Sequence, residues 1–177
     1  MATVAFLTSA EGIEQAELTE PWRAVQEAGH RPVLIAETPD GHVQAFRHLD
    51  RADRFPVDRQ PADADPADYD ALVLPGGVAN GDALRAQPAS VQLVRKIAES
   101  GTPIAVICHG GWVLIEAGVM RGRTVTSWPT LRTDYRNAGA TWVDQELVVD
   151  DGRPPLISSR KPDDLPAFCD ALIKTLG

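Results

Sequence analysis

Two cysteines in 177 residues, Cys108 and Cys169, are too few for a disulfide scaffold, so each thiol needs its own explanation. Positive charge is also short: 17 Lys and Arg against 25 Asp and Glu leave a net charge of −8. That balance opposes binding to a phosphate backbone or an anionic membrane surface, and neither nucleic acid nor membrane is expected as a partner. No apolar run approaches the ~20 residues that span a bilayer, and the N-terminus lacks the basic start and long apolar stretch of a signal peptide. A cytoplasmic location is the expectation.

The motifs of several chemistries are missing too. There is no Gly-x-x-x-x-Gly-Lys-Ser/Thr loop and no Gly-x-Gly-x-x-Gly after a strand, so no nucleotide is required. His30, His42, His48 and His109, with the two cysteines, show neither Cys-x-x-Cys nor His-Glu-x-x-His spacing, so no metal and no cofactor is expected. A Gly-x-Ser-x-Gly nucleophile elbow is absent.

What is present suits one globular domain over residues 1–177. The chain is 44% hydrophobic and 24% charged, with short apolar runs along its whole length. Strands are expected at Thr3 to Thr8, Arg31 to Ala36, Tyr69 to Leu74, Pro103 to Ile107 and Leu156 to Ser158. Shorter ones are expected at His42 to Phe46, Phe55 to Val57, Thr124 to Thr126, Thr141 to Val143 and Glu146 to Val149. Ser9 to Gly12 reads as a loop. Helical spacing follows at Leu18, Trp22 and Val25 before Gly29, at Val91, Val94 and Ile97 before Gly101, and at Val113, Leu114 and Ala117 before Gly118. Pro129 to Ala138 and the stretch carrying Leu165, Phe168, Leu172 and Leu176 complete the helices.

Nearly continuous apolar strands alternating with helices predict an α/β domain, a doubly wound, mostly parallel sheet with helices on both faces. Class I glutamine amidotransferases share this fold class and a Cys at a strand-to-helix turn. They also need a later His-x-Glu, and no histidine follows His109. Ligands of such sheets sit beyond the carboxyl ends of the strands, which directs attention to Ser9–Glu14, Pro75–Asp82 and Cys108–Gly111.

Cys108 follows a buried strand and heads a helix, where the helix dipole and unpaired N–H groups favour the thiolate. A thiolate there suits attack on an electrophilic carbonyl or stepwise oxidation; the alternative is a buried structural thiol. Cys169, between Phe168 and Leu172, reads as packing. Glu14 is the carboxyl expected beside the sulfur, protonated and able to donate a proton, with Glu11 and Glu17 as close competitors. Gly76 and Gly77 could present backbone N–H groups to an oxyanion, and His109 is the one histidine near these strand ends. Neighbouring helical positions point about 100° apart, so a direct Cys108–His109 pair requires a distorted turn.

Glu11 to Leu18 (EGIEQAEL) with Pro21, Asp70 to Gly77 (DALVLPGG), Ala105 to Gly110 (AVICHG), Thr126 to Pro129 (TSWP) with Asn137 to Gly139, and Ser159 to Leu165 (SRKPDDL) occur in this order. Together they resemble the ThiJ/PfpI superfamily, that of the Parkinson-associated protein deglycase, and most closely its PfpI-type intracellular protease branch. The resemblance implies a flavodoxin-like fold, a homodimer or larger homo-oligomer, a Cys108 nucleophile in a strained elbow and a protonated carboxyl at Glu14. In the PfpI-type peptidase a glutamate of the neighbouring subunit orients the histidine. The matching slot here is Gly81, with Asp82 as the nearest substitute. Trp128 stands where the branch often has Tyr, at the edge of the substrate site.

The leading expectation is a cofactor-free stress-response enzyme acting on small reactive carbonyls such as methylglyoxal, with Cys108, Glu14 and His109 as its machinery. Two alternatives accompany it: a cysteine peptidase acting on peptides, with Asp82 supporting His109, and a non-enzymatic sensor or chaperone that responds through Cys108 oxidation.

Overall fold

The computed structural model describes all 177 residues. In chain order the elements are β1 (Thr3–Thr8), β2 (Glu11–Glu14), α1 (Gln15–Glu27), β3 (Arg31–Ala36), β4 (His42–Arg47), β5 (Asp50–Pro56) and β6 (Ala71–Leu74). There follow α2 (Val78–Arg85), α3 (Pro88–Ser100), β7 (Ile104–Ile107), α4 (Trp112–Glu116), β8 (Thr124–Val125) and α5 (Arg132–Asn137). The chain ends with β9 (Thr141–Trp142), β10 (Val148–Asp150), β11 (Leu156–Ser159) and α6 (Leu165–Leu176).

Six strands form the central sheet in the order β10-β11-β7-β6-β1-β3. All neighbours are parallel except the edge pair β10/β11. The period-two alternation of the strands splits the core in two. Ala5, Leu7, Leu72, Leu74, Ile104 and Val106 pack on one face with Leu84 of α2, Val94 and Ile97 of α3 and Leu114 of α4. Val4, Phe6, Val73, Ala105 and Ile107 pack on the other with Leu18 and Val25 of α1 and Phe168 and Leu172 of α6. Both faces are therefore covered, as the apolar strands require, and the expected doubly wound α/β fold is present. No helix is long and apolar enough to cross a membrane.

Two stretches differ from expectation. β5 runs over Asp50–Pro56 rather than Phe55 to Val57, because antiparallel pairing with β4 extends it. Residues read as a loop after β1 include a strand, β2, which pairs with β4 in a second sheet of order β2-β4-β5. Its four residues have no strand-like alternation of their own. The β4/β5 hairpin supplies the edge that makes them extended.

From β1 the chain goes to β3 on one side and then to β6 on the other, so the sheet reverses direction between β1 and β6. The ends of β1, β6 and β7 form the crevice at that reversal, where ligands of open α/β sheets sit.

Candidate active site

Cys108 directly follows β7 with a backbone φ of +61°, a left-handed conformation that a non-glycine residue adopts only when its surroundings impose it. Here they do. Its N–H donates to Ser159 O at the end of β11 (3.1 Å), and its carbonyl accepts from Trp128 N beyond β8 (3.3 Å). Gly110 N–H closes the turn onto Ile107 O at 3.0 Å. This is the distorted turn that a direct Cys108–His109 pair requires: Cys108 Sγ lies 3.2 Å from His109 Nδ1.

The carboxyl beside the sulfur is Glu17, which corrects the choice of Glu14. Glu17, in the first turn of α1, is fully buried, and its Oε2 accepts from Gly76 N–H at 2.8 Å. Glu17 Oε2 and Cys108 Cβ both crowd the point where a Gly76 Cβ would stand, so carboxyl and thiol are neighbours across Gly76. Glu14 ends β2 instead and turns toward the hairpin, where its Oε2 accepts from His48 N–H at 3.0 Å. Spacing carried a signal for Glu17: it lies four and eight residues before Pro21 and Val25, on the buried stripe of α1, whereas Glu14 precedes the helix. Glu11 is exposed.

Burial raises Glu17 to about 8, aided by the nearby Glu14 charge, so at neutral pH it holds its proton. Burial also pushes the Cys108 thiol up, and an ionised Glu17 would push it further. The pocket therefore accommodates one negative charge at a time. This corrects the expectation of a thiol acidified by a helix N-terminus, since α4 begins only at Trp112. The groups that favour the anion are local: the N–H groups of Gly77 and His109 and, once protonated, the Glu17 carboxyl itself.

Gly76 and Gly77 lie beside the site, but not as two free oxyanion donors: the Gly76 N–H is committed to Glu17, while the Gly77 N–H favours the Cys108 anion. The Gly76 carbonyl and that of Pro75 accept from the buried Asn80 side chain at 3.0 Å each, while Asn80 Oδ1 accepts from Ser9 N–H at 2.8 Å. Asn80 thus ties the end of β1 to the turn after β6. Sequence reading passed over it because one Asn in a helix carries no motif.

His109 is buried, which lowers it to about 4 and leaves it neutral at physiological pH. Trp128, 36% exposed, stacks on its ring at 5.8 Å between centroids, at the rim of the site. Trp112 meets the ring edge-on at 5.3 Å. Asp82 is exposed on α2 and makes no hydrogen bond or ion pair with His109, so the chain does not itself bring the proposed acid to the histidine. Cys169 is half-buried on α6 among the apolar residues of that face. No cluster of three His, Cys, Asp or Glu side chains able to hold a metal occurs.

A cysteine on a strained strand-to-helix elbow, flanked by a neutral histidine and a protonated carboxyl, defines a thiol-centred protein of the flavodoxin-like α/β class. The sequence model of the DJ-1/PfpI family matches residues 2–175, and the chain belongs to that family. It is 41% identical over 170 residues to a deglycase of Thermococcus kodakarensis, covering 96% of this chain and 97% of that protein. It is 37% identical over 164 residues to protein/nucleic acid deglycase 2 of Escherichia coli, with coverage of 93% and 92%. Among solved structures, a two-domain protein of Anabaena variabilis with DJ-1/ThiJ/PfpI-like and ferritin-like domains superposes with a TM-score of 0.89 at 33% identity. The match covers 99% of this chain and half of that longer one.

Proposed function

We propose that the protein is a cofactor-free thiol enzyme that converts small reactive carbonyls, methylglyoxal foremost, and releases amines from their carbonyl adducts. The observation that carries this reading is the protonated Glu17 against Cys108, with the neutral His109 Nδ1 3.2 Å from the sulfur. An acid, a base and a nucleophile then meet at one small site.

Cys108 loses its proton to His109, and the sulfur electron pair forms a bond to the aldehyde carbon. The carbonyl π pair moves to oxygen, which takes the Glu17 proton and gives a hemithioacetal. His109, having passed its first proton on to solvent, removes the hydrogen of that carbon as a proton. That proton is returned at the neighbouring carbon, while the hydroxyl proton of the first carbon goes back to Glu17 and from it to the neighbouring carbonyl oxygen, so one carbon is oxidised and the next reduced within the molecule. The product is a thioester of lactate. Water cleaves its C–S bond, so methylglyoxal plus water becomes lactic acid with no external oxidant or reductant. An amine adduct joins the same sequence once its C–N bond is exchanged for C–S and the amine departs with a proton. The names of the deglycase relatives support this substrate class.

A peptidase would share the Cys108–His109 pair, the observation in its favour, but would need a carboxylate on the other ring nitrogen, which Asp82 could supply only across a subunit interface. The reading also takes the protein as a cytoplasmic homo-oligomer, on the strength of the family resemblance. The test is lactate formation from methylglyoxal and amine release from its adducts by the purified protein. Activity lost in Cys108→Ser supports the proposal. Equal product from wild type and Cys108→Ser defeats it, as does peptide cleavage without carbonyl turnover.

A further inference from the structure

The His109 ring has one polar contact, the sulfur of Cys108, and no carboxylate on either nitrogen. Its orientation is held by aromatic surfaces: Trp128 roughly parallel to it and Trp112 edge-on, with 60° between the planes. Trp112 is the first residue of α4 and is itself fixed on three sides. Its Nε1–H donates to Asp134 Oδ2 of α5 at 2.9 Å. The Arg85 guanidinium of α2 lies over the indole, 5.6 Å from its centre. Gly81 of α2 leaves the space the ring occupies, since a Cβ there would lie 3.2 Å from Trp112 Cε3 and would collide with His109 O. Of these three holds only the Asp134 bond is directional enough to set the rotation of the indole plane. An edge-to-face contact then passes that rotation to the imidazole, whose own turn would carry Nδ1 away from the sulfur.

We infer that Asp134 is a positioning residue of this site: it holds Trp112, and Trp112 holds His109 against Cys108. The role rests on the proposed thiol chemistry only where turnover is read. The geometry itself can be tested without it. Around the imidazole the titratable and charged groups are Cys108 and Glu17 on the sulfur side, with Asp134 and Arg85 reaching it through Trp112. The resting ring is neutral because it is buried.

The experiment compares Asp134→Ala, Asp134→Asn and Trp112→Phe by three readouts. These are His109 titration by NMR of the ring nitrogens, the rate of Cys108 alkylation by iodoacetamide at neutral pH, and kcat and KM on methylglyoxal. Asn keeps a side-chain oxygen that can accept the indole N–H, so Asp134→Asn should stay within about 2-fold of wild type. Asp134→Ala and Trp112→Phe should each slow alkylation and lower kcat by about 10-fold with little change in KM, the mark of a displaced group rather than a lost binding contact. In both, the His109 titration should move up from about 4 toward its ordinary value of 6.5. Unchanged alkylation and titration in Asp134→Ala overturn the inference, and so does an Asp134→Asn variant as impaired as Asp134→Ala. Should wild type make no lactate, the proposed reaction fails, while alkylation and titration still decide the clamp.

Discussion

Gly76 donates its N–H to Glu17 Oε2 at 2.8 Å, while the other Glu17 oxygen has no hydrogen-bonding partner. A carboxylate given a single donor in a fully buried site keeps its proton. Glu17 binds that proton up to about 8 in the folded protein and releases it near 4.5 when exposed. The folded state therefore holds more protons across this window, and its stability declines as pH rises from 4.5 to 8. His109 acts with the opposite sign: its folded value, about 4, lies below the ordinary 6.5, so stability is lost as pH falls from 6.5 toward 4. The two slopes cancel where the windows overlap, from 4.5 to 6.5, so the site alone gives a plateau there and a net decline from 6.5 to 8. Glu17→Gln should abolish the decline toward pH 8 and gain on the order of a few kcal/mol there, read by urea unfolding at pH 5.5 and 8. The same variant should lose about 100-fold or more in carbonyl turnover, because an amide cannot supply the proton. A variant with the wild-type decline would show that Glu17 is ionised at neutral pH.

The positive φ of Cys108 gives a prediction opposite to the usual rank of small residues. In ordinary helix or strand positions alanine is more stable than glycine by about 0.5–1 kcal/mol. At φ +61° a Cβ is strained, and glycine is free of that strain. Cys108→Gly should accordingly be more stable than Cys108→Ala by about 1 kcal/mol in chemical denaturation. The reverse order would mean that the elbow is relaxed.

How far the sequence reached can be judged from these same residues. The main strands and the three strand ends that converge on the site were legible because parallel strands buried on both faces read as apolar runs broken by Gly and Pro. β2 was not, since its extended form depends on pairing with β4, far along the chain. Cys108 and His109 could be singled out by position after β7. Choosing Glu14 over Glu17 turned on side-chain direction: Glu14 faces the hairpin and Glu17 faces the core, and a three-residue difference at a strand-to-helix junction leaves that open until the helix phase is known. Asn80, Trp112 and Asp134 were invisible for another reason: their partners sit on separate elements.

Gly76 marks the tightest approach in the site. A Cβ there would collide with Glu17 Oε2 and lie 2.6 Å from Cys108 Cβ. Backbone and elbow cannot both yield, because the Gly76 carbonyl is held by Asn80 and by Glu14 N–H at 3.2 Å. Gly76→Ala should destabilise the fold by about 1–3 kcal/mol and remove turnover. A stable, active Gly76→Ala protein would mean that Glu17 can move away without loss, which the proposed chemistry does not allow.

Tyr135 supplies the last prediction. Its ring is buried on α5 within the apolar core, and its hydroxyl, without a hydrogen-bonding partner, abuts Gly111, where a Cβ would collide with it. Burial drives its ionisation well above the ordinary phenol value, so the hydroxyl is neutral at physiological pH. A buried hydroxyl without a partner costs stability, whereas phenylalanine keeps the ring contacts and drops that cost. Tyr135→Phe should therefore raise stability by about 1 kcal/mol and leave alkylation of Cys108 unchanged. A loss of stability instead would reveal that the hydroxyl is satisfied in solution. A loss of reactivity at unchanged stability would make it part of the site, standing in for the hydroxyl that Trp128 lacks at the rim.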